Sequence, residues 1–186
     1  MNLDTLKVEA RMAAFVRRKK AFEAQDGAVC GVLSEVLAGY RGVPLAGFMP
    51  INTEIDPLAS MAEASAHGMV GVPVIEAPAT PLKFAKWAPD AELVVGAFKA
   101  KIPAKIDWMI PEILIVPLVA WDREGGRLGY GGGFYDRTLE ELRTHGPVLA
   151  IGFAFNAQMS RDLPLETTDQ PLDMIVTEDA VIIMKN

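Results

Sequence analysis

The residues with the clearest chemical potential lie in one glycine-rich stretch, residues 125–137, which also carries Arg127, Asp136 and Arg137. Glycines let the backbone adopt positive φ and let a ligand approach it closely. Arginines form paired hydrogen bonds to phosphate oxygens, and a carboxylate can hold a hard cation that also binds phosphate. These residue types at this spacing therefore predict a site for phosphate together with a metal ion.

The flanking segments predict how this loop is held. Residues 112–121 are continuously apolar, which indicates a buried strand, and residues 138–143 indicate a helix. A strand, glycine loop and helix in this order present the N–H groups and positive dipole end of the helix to a phosphate. The loop matches neither a Walker motif, which needs Gly-Lys-Ser/Thr, nor the dinucleotide fingerprint, whose sixth position is Phe134 here. On glycine content alone, a hairpin or linker is an equal alternative.

The first predicted helix, residues 3–22, supplies two further cations. Lys7 and Arg11 are four residues apart, so they lie on one face of the helix, where both can reach a polyphosphate. The alternative is a solvated basic face that continues into residues 17–20. We expect residues 17–20 to lie at the surface in either case.

Composition narrows the function classes. The chain has 186 residues, 51% of them hydrophobic and 23% charged, which predicts one globular domain spanning residues 1–186. A net charge of −6 argues against nucleic-acid binding through an extended basic surface. Cys30 is the single cysteine and there are two histidines, so neither an intrachain disulfide nor a conventional zinc site is expected.

Alternating strand and helix patterns predict an α/β fold with three layers, α/β/α, and a mostly parallel, Rossmann-like sheet. The sequence shows no signal-peptide core and no apolar run of membrane-spanning length, so we expect a cytoplasmic protein with no membrane partner. A monomer or weak homodimer is the expected assembly.

One string within the glycine-rich stretch is distinctive. Residues 126–137 read Gly-Arg-Leu-Gly-Tyr-Gly-Gly-Gly-Phe-Tyr-Asp-Arg, preceded by Val-Pro-Leu-Val-Ala-Trp-Asp-Arg at residues 116–123. This string resembles the signature of the 5-formyltetrahydrofolate cyclo-ligase family, also called methenyltetrahydrofolate synthetase. The resemblance extends over nearly the whole chain, with further matches at Lys7, Arg11, Met49, Glu54, Gln158, Thr168-Asp169 and Thr177-Glu178.

The resemblance implies a ligase of one-carbon metabolism with ATP and a reduced folate as its small-molecule partners. The implied reaction converts 5-formyltetrahydrofolate to 5,10-methenyltetrahydrofolate with Mg²⁺ as cofactor and with release of ADP and phosphate. Phosphoryl transfer to the formyl oxygen makes that oxygen a good leaving group, after which a neighbouring folate nitrogen closes the ring. Such a transfer needs alignment and charge neutralisation rather than a protein nucleophile.

The resemblance also implies a role for each matched residue. ATP is expected to contact Lys7, Arg11, Arg127, Gly129, Gly131, Gly132, Gly133 and Tyr135, of which Arg127 and Tyr135 are the candidate catalytic residues. Magnesium is expected at Asp136 and Asp169. The folate is expected to contact Met49, Glu54, Tyr135 and Gln158.

Glu54 and Gln158 each follow a predicted strand, at the sheet edge where ligands bind in open α/β folds. A carboxylate at Glu54 can accept hydrogen bonds from the amino and ring N–H groups of a pterin. The alternative is that Glu54 only stabilises the start of the following helix through its dipole.

Two departures from the family pattern keep other functions open. Residues 101–105 replace the usual glycine-rich turn and Glu-Pro pair, and Thr168 replaces a histidine. One alternative is a family paralogue that acts on another substrate. The other is a folate- or nucleotide-binding protein without catalytic activity.

Overall fold

The computed structural model describes residues 2–184. The helices are α1 (Leu3–Ala24), α2 (Gly31–Ala38), α3 (Leu58–Ser65) and α4 (Phe134–His145), with short 3-10 turns at Ala97–Lys99 and Asn156–Gln158. The strands are β1 (Leu45–Ala46), β2 (Val70–Val74), β3 (Lys83–Lys86), β4 (Leu93–Val95), β5 (Lys101–Pro103), β6 (Trp108–Met109), β7 (Ile113–Pro117), β8 (Ala120–Trp121), β9 (Arg127–Leu128), β10 (Leu149–Phe153), β11 (Met174–Val176) and β12 (Val181–Ile183). None of the helices among these residues is long and apolar enough to cross a lipid bilayer.

Eight strands form one sheet in the order β12-β11-β10-β7-β1-β2-β3-β6. The five central strands, from β11 to β2, pair in parallel, and the outer strands β12, β3 and β6 pair antiparallel. The predicted α/β class with a mostly parallel sheet is confirmed.

Alternate residues of β7 show why the sheet is covered on both sides. Ile113 and Ile115 belong to a core that includes Leu33 and Leu37 of α2 and Met61 of α3. Leu114 and Val116 belong to the opposite core, which includes Leu139 of α4. Because every second side chain points to the other face, an apolar run of this kind forms a strand buried on both sides. The predicted three layers are therefore present.

Most of α1 packs outside these two cores, although Ala21 and Phe22 near its end pack against the first. Its residue Ala14 joins Val119, Ala120 and Leu128 of the β8–β9 hairpin in a third, smaller cluster. Its buried side chains are Lys7, Ala14 and Arg18. The expectation that residues 17–20 lie at the surface is wrong for Arg18, which is only 2% exposed, and it holds for Lys19 and Lys20.

The predicted strand–loop–helix order is right in outline and needs two corrections. The strand predicted at residues 112–121 ends at Pro117, and β8 and β9 form a separate hairpin around a turn in which Asp122 accepts hydrogen bonds from the N–H groups of Glu124 and Gly126. The following helix starts at Phe134 rather than at residue 138. The phosphate-binding candidate is thus the shorter loop 129–133 that joins the hairpin to α4.

The chain order of the central strands fixes where a ligand can bind. β1 lies between β2, which follows it directly in the chain, and β7, from which the chain continues outward through β10 to β11. Strand connections therefore leave in opposite directions from the β1–β7 pair. In open α/β sheets, the carboxyl ends of strands at such a switch point form the ligand crevice.

Candidate active site

A cavity of about 790 Å³ opens at the carboxyl ends of the central strands. Its walls include Met49 just after β1, Pro117 at the end of β7, and Glu54. Loop 129–133, the first turn of α4 and the side chains of Lys7 and Arg11 form the remaining side. Most of the residues predicted from the sequence to form the site therefore line one cavity.

The start of α4 has the features of an anion site. Gly131 and Gly133 have φ of 101° and 63°, values that side-chain-bearing residues rarely adopt. Gly133 is the N-cap, and no side chain among the described residues caps this helix. The first-turn N–H groups therefore remain available for an anionic ligand, and Asp136 is the acidic residue in that turn.

The two cations of α1, Lys7 and Arg11, both line the cavity, and both already have protein partners. The Nε of Arg11 donates to the carbonyl of Gly129 at 2.8 Å, so this arginine is tied to the glycine loop. The Nζ of Lys7 lies 3.3 Å from Glu166 and 3.6 Å from Asp169. A phosphate that bound Lys7 would compete with these carboxylates.

Arg127, which is buried, and Asp136, which is partly exposed, form an ion pair in the cavity lining. Both terminal nitrogens of Arg127 donate to Oδ1 of Asp136, at 2.9 and 2.8 Å, and the N–H of Gln170 donates to the same oxygen at 2.8 Å. Burial lowers the pKa of Arg127, while the charges of Asp136 and Asp169 act in the opposite direction. Arg127 is thus a fixed positive charge in a poorly solvated position.

The candidate metal ligands Asp136 and Asp169 both line the cavity. Within residues 2–184 there is no group of three or more histidine, cysteine or acidic side chains arranged to hold a metal ion. Mg²⁺ at nucleotide sites usually takes only one or two carboxylates and completes its shell with phosphate oxygens and water. The hydrogen bonds made to Asp136 all end at Oδ1, so its second oxygen is compatible with that mode.

Glu54 is held as a buried acceptor in the cavity lining. It is 5% exposed; its Oε2 accepts from the N–H of Ile51 at 2.8 Å and its Oε1 from the hydroxyl of Tyr130 at 3.0 Å. Desolvation raises the pKa of Glu54, and the two hydrogen bonds and the charge of Arg18 partly offset that rise. The alternative in which Glu54 only stabilises a helix start is not supported, because α3 begins at Leu58 and Pro57 is its N-cap.

Tyr135 lines the cavity from the first turn of α4. Burial raises its pKa, and the charge of Glu54 acts in the same direction. The phenol is therefore protonated across the physiological range, which makes it a hydrogen-bond donor to an oxygen bound nearby.

Gln158 is the predicted site residue that does not reach the cavity. Its side chain is 1% exposed, donates to the carbonyls of Leu118 and Val119, and accepts from the N–H of Phe155. The amide is fully occupied in joining the chain after β10 to the chain after β7. The geometry gives it a structural role and does not support the predicted contact with substrate.

The sequence pattern does not identify two residues at the site. Tyr130 lines the cavity, and Arg18 donates a hydrogen bond to its hydroxyl. Positions 7, 11, 14 and 18 recur at helical spacing and so mark one face of α1, which is the signal for Arg18. Tyr130 stands between the glycines of the loop. An aromatic residue inside a glycine-rich loop is the signal that could have identified it.

Comparison with known proteins decides the family. A model of the 5-formyltetrahydrofolate cyclo-ligase family matches residues 43–178. The chain belongs to this family. The resemblance predicted from residues 126–137 is thereby confirmed.

Individual cyclo-ligases match to different extents. The 5-formyltetrahydrofolate cyclo-ligase of Escherichia coli (strain K12) is 42% identical over 106 residues, which are 54% of this chain and 57% of that protein. This chain thus spans little more than half of that relative. The 5-formyltetrahydrofolate cyclo-ligase of Mycolicibacterium smegmatis is 27% identical over 190 residues, covering 95% of this chain and 96% of the relative.

The fold also matches a solved member. The NMR structure of Aquifex aeolicus 5,10-methenyltetrahydrofolate synthetase superimposes with a TM-score of 0.79 at 27% identity, over 97% of this chain and 94% of that chain. A 5,10-methenyltetrahydrofolate synthetase from Mycoplasma pneumoniae, at 19% identity and a TM-score of 0.67, shares the fold.

Proposed function

We propose that this protein converts 5-formyltetrahydrofolate to 5,10-methenyltetrahydrofolate in an ATP- and Mg²⁺-dependent reaction that releases ADP and phosphate. The observation that carries the proposal is that one cavity is lined both by an uncapped helix start, with Lys7, Arg11 and Arg127 in the same lining, and by a buried carboxylate, Glu54. The helix start suits a polyphosphate, and the carboxylate suits paired N–H donors such as those of a pterin.

The reaction requires the formyl oxygen of the folate to lie next to the γ-phosphate of ATP. The formyl oxygen attacks the γ-phosphorus of ATP and ADP leaves. The nearby folate nitrogen then attacks the activated formyl carbon, the carbon–oxygen bond breaks, and phosphate departs with the original formyl oxygen. A poor leaving group is thus replaced by a good one, and the protein contributes alignment and charge.

The ATP side of the site is assigned to loop 129–133, the first-turn N–H groups of α4, and the side chains of Lys7, Arg11 and Arg127. Arg127 is already fixed by Asp136, so it needs no reorganisation when charge develops on the transferring phosphoryl group. Tyr135 is protonated and lies close enough to Glu54 and Arg127 to feel both charges. It is assigned to donate a hydrogen bond to the formyl or phosphoryl oxygen.

Magnesium is assigned to Asp136 and Asp169. When bound, Mg²⁺ would neutralise phosphate charge and orient the triphosphate. Asp169 has Lys7 and the N–H of Glu166 as neighbours, and both contact its Oδ2, so Oδ1 of Asp169 is compatible with a metal ion. The folate side is assigned to Glu54 and Met49.

A direct test mixes purified protein with 5-formyltetrahydrofolate, Mg²⁺ and ATP and follows the absorbance of the methenyl product. The expected result is a rise that needs both ATP and Mg²⁺. Absence of a rise at high protein concentration, with both ligands shown by calorimetry to be bound, would select the non-catalytic binding protein.

One observation favours the paralogue as a second candidate. The β4–β5 hairpin, which contains the unusual residues 101–105, contributes Phe98, Ala100 and Ile102 to the cavity wall. A changed wall can change the accepted substrate. Consumption of ATP with another formylated or carboxylated compound, but not with 5-formyltetrahydrofolate, would select this alternative.

A further inference from the structure

Arg18, on α1, is an arginine almost without contact with solvent. It is 2% exposed, whereas its neighbours Lys19 and Lys20 are exposed. Burying a guanidinium is costly unless its charge and its donors are satisfied. The partners of Arg18 therefore indicate what its burial achieves.

Those partners form a short chain of contacts that ends at the substrate wall of the cavity. The Nη1 of Arg18 donates to the hydroxyl of Tyr130 at 2.9 Å, and that hydroxyl donates to Oε1 of Glu54 at 3.0 Å. The Nε of Arg18 donates to the hydroxyl of Thr53, the residue before Glu54, at 3.0 Å. The guanidinium thus holds the carboxylate through Tyr130 and through the side chain of Thr53, the adjacent residue.

Aromatic rings hold the guanidinium in this position. Its central carbon lies 5.1 Å from the ring centre of Phe15 and 5.5 Å from that of Tyr130. The two rings themselves are 5.7 Å apart. Cation–π attraction of this kind is strongest where water is excluded.

We infer that Arg18 is a positioning residue that acts through Tyr130 to hold the Glu54 carboxylate ionised and oriented toward the cavity. An isolated buried carboxylate would otherwise take up a proton, and a protonated carboxyl loses one of its two acceptor oxygens. Hydrogen bonds in a chain polarise one another, so donation from Arg18 makes Tyr130 a better donor to Glu54. The inference rests on the proposed function only for the identity of the ligand that Glu54 receives.

The charged and titratable groups near Glu54 come from three elements. Arg18 on α1 stabilises its ionised form, Tyr130 in the glycine loop donates to it, and Tyr135 on α4 lies close enough for its own pKa to rise with the charge of Glu54. Of these, Arg18 carries the compensating positive charge. Removing it is therefore expected to raise the pKa of Glu54.

The experiment measures Glu54 directly in the full-length protein, without folate. Carboxyl carbons of glutamate are labelled with ¹³C and titrated by NMR, and Glu54→Gln identifies the Glu54 signal by its disappearance. We expect Tyr130→Phe and Arg18→Met each to move the midpoint to higher pH. Arg18→Lys should restore part of the shift, because it keeps the charge and loses the forked geometry.

The matched control is Arg17→Met. Arg17 is the preceding residue and also makes side-chain hydrogen bonds, but these go to the carbonyl of Ala157 and the hydroxyl of Ser160. Its removal should leave the Glu54 midpoint unchanged. Tyr130→Phe keeps the ring against Arg18, so it tests the hydroxyl even if Arg18→Met fails to fold.

Calorimetry with 5-formyltetrahydrofolate gives the functional readout. Tyr130→Phe removes the hydrogen bond to the charged Glu54, and we expect this loss to raise the Kd for 5-formyltetrahydrofolate roughly 10-fold. Midpoints that stay unchanged in both Tyr130→Phe and Arg18→Met would overturn the positioning role, whatever the activity. Midpoints that shift in a protein that does not bind 5-formyltetrahydrofolate would support the positioning role and reject the proposed function.

Discussion

Asp136→Asn is expected to destabilise the protein before any effect on metal binding is considered. Asparagine keeps the shape and an acceptor oxygen for Arg127 and for the N–H of Gln170, but it removes the counter-charge of Arg127. The side chain of Arg127 is 5% exposed and that of Asp136 is 26% exposed. The substitution therefore leaves a poorly solvated positive charge unpaired.

The magnitude follows from this burial. Removing one partner of a buried ion pair costs about 3–5 kcal/mol, and the partial exposure of Asp136 favours the lower end, about 3 kcal/mol. For a chain of this size, about 2–4 °C is lost per kcal/mol, so the melting temperature should fall by roughly 6–12 °C. Thermal and urea denaturation, both without ligands, measure this directly.

The matched background is Arg127→Met, which removes the charge that needs a partner. In that background, adding Asp136→Asn should cost less than about 1 kcal/mol, because the interaction it would break is already absent. An equal cost in both backgrounds, or a melting temperature within about 2 °C of wild type for the single Asp136→Asn variant, would contradict the role assigned to the ion pair.

Four further substitutions test other parts of the site. Burial raises the pKa of Glu54 above its ordinary 4.5, so wild-type stability falls as pH rises from 4.5 through the folded-state pKa. Across that pH window the melting temperature of Glu54→Gln should rise relative to that of wild type. A difference in melting temperature that does not change with pH would contradict this. Gly133→Ala places a side chain at φ 63° and should cost roughly 1–2 kcal/mol in urea denaturation, whereas Gly129→Ala, in open space, should change stability by less than about 0.5 kcal/mol. Glu166→Gln removes a half-exposed partner of Lys7 and should tighten binding of a non-hydrolysable ATP analogue about two- to fivefold; tenfold weaker binding would instead mean that Glu166 contacts the ligand or its metal.

The buried strands of the sheet were predictable because their pattern is local, whereas the strand order was not predicted. Residues 113–117 and 149–153 are continuous apolar runs, and runs of this kind form strands buried on both faces. Glu54 follows a predicted strand, so the sequence alone placed it at the sheet edge where ligands bind.

The start of α4 was harder to place. Its N-cap is Gly133 in the left-handed conformation, without the serine, threonine, asparagine or aspartate that normally marks a helix start. The sequence pattern therefore pointed to residue 138, one turn too late. The consequence matters for the site, since Tyr135 and Asp136 belong to the first helical turn rather than to a loop.

Arg18 and Gln158 show the limit of reading residue types one at a time. Arg18 lies in a run of four basic residues that predicts a solvated surface, and its burial depends on Tyr130, 112 positions away. Gln158 follows a strand as a ligand-binding residue would, but carbonyls after β7 occupy its amide. Both outcomes depend on tertiary partners that the local pattern does not contain.

The measurement that tests the central claim most directly follows an oxygen atom. 5-Formyltetrahydrofolate labelled with ¹⁸O at the formyl group is converted with ATP and Mg²⁺, and the released phosphate is examined by mass spectrometry. Activation of the formyl oxygen by phosphoryl transfer predicts one ¹⁸O atom in each phosphate released. Unlabelled phosphate, formed at the same rate as the methenyl product, would contradict it.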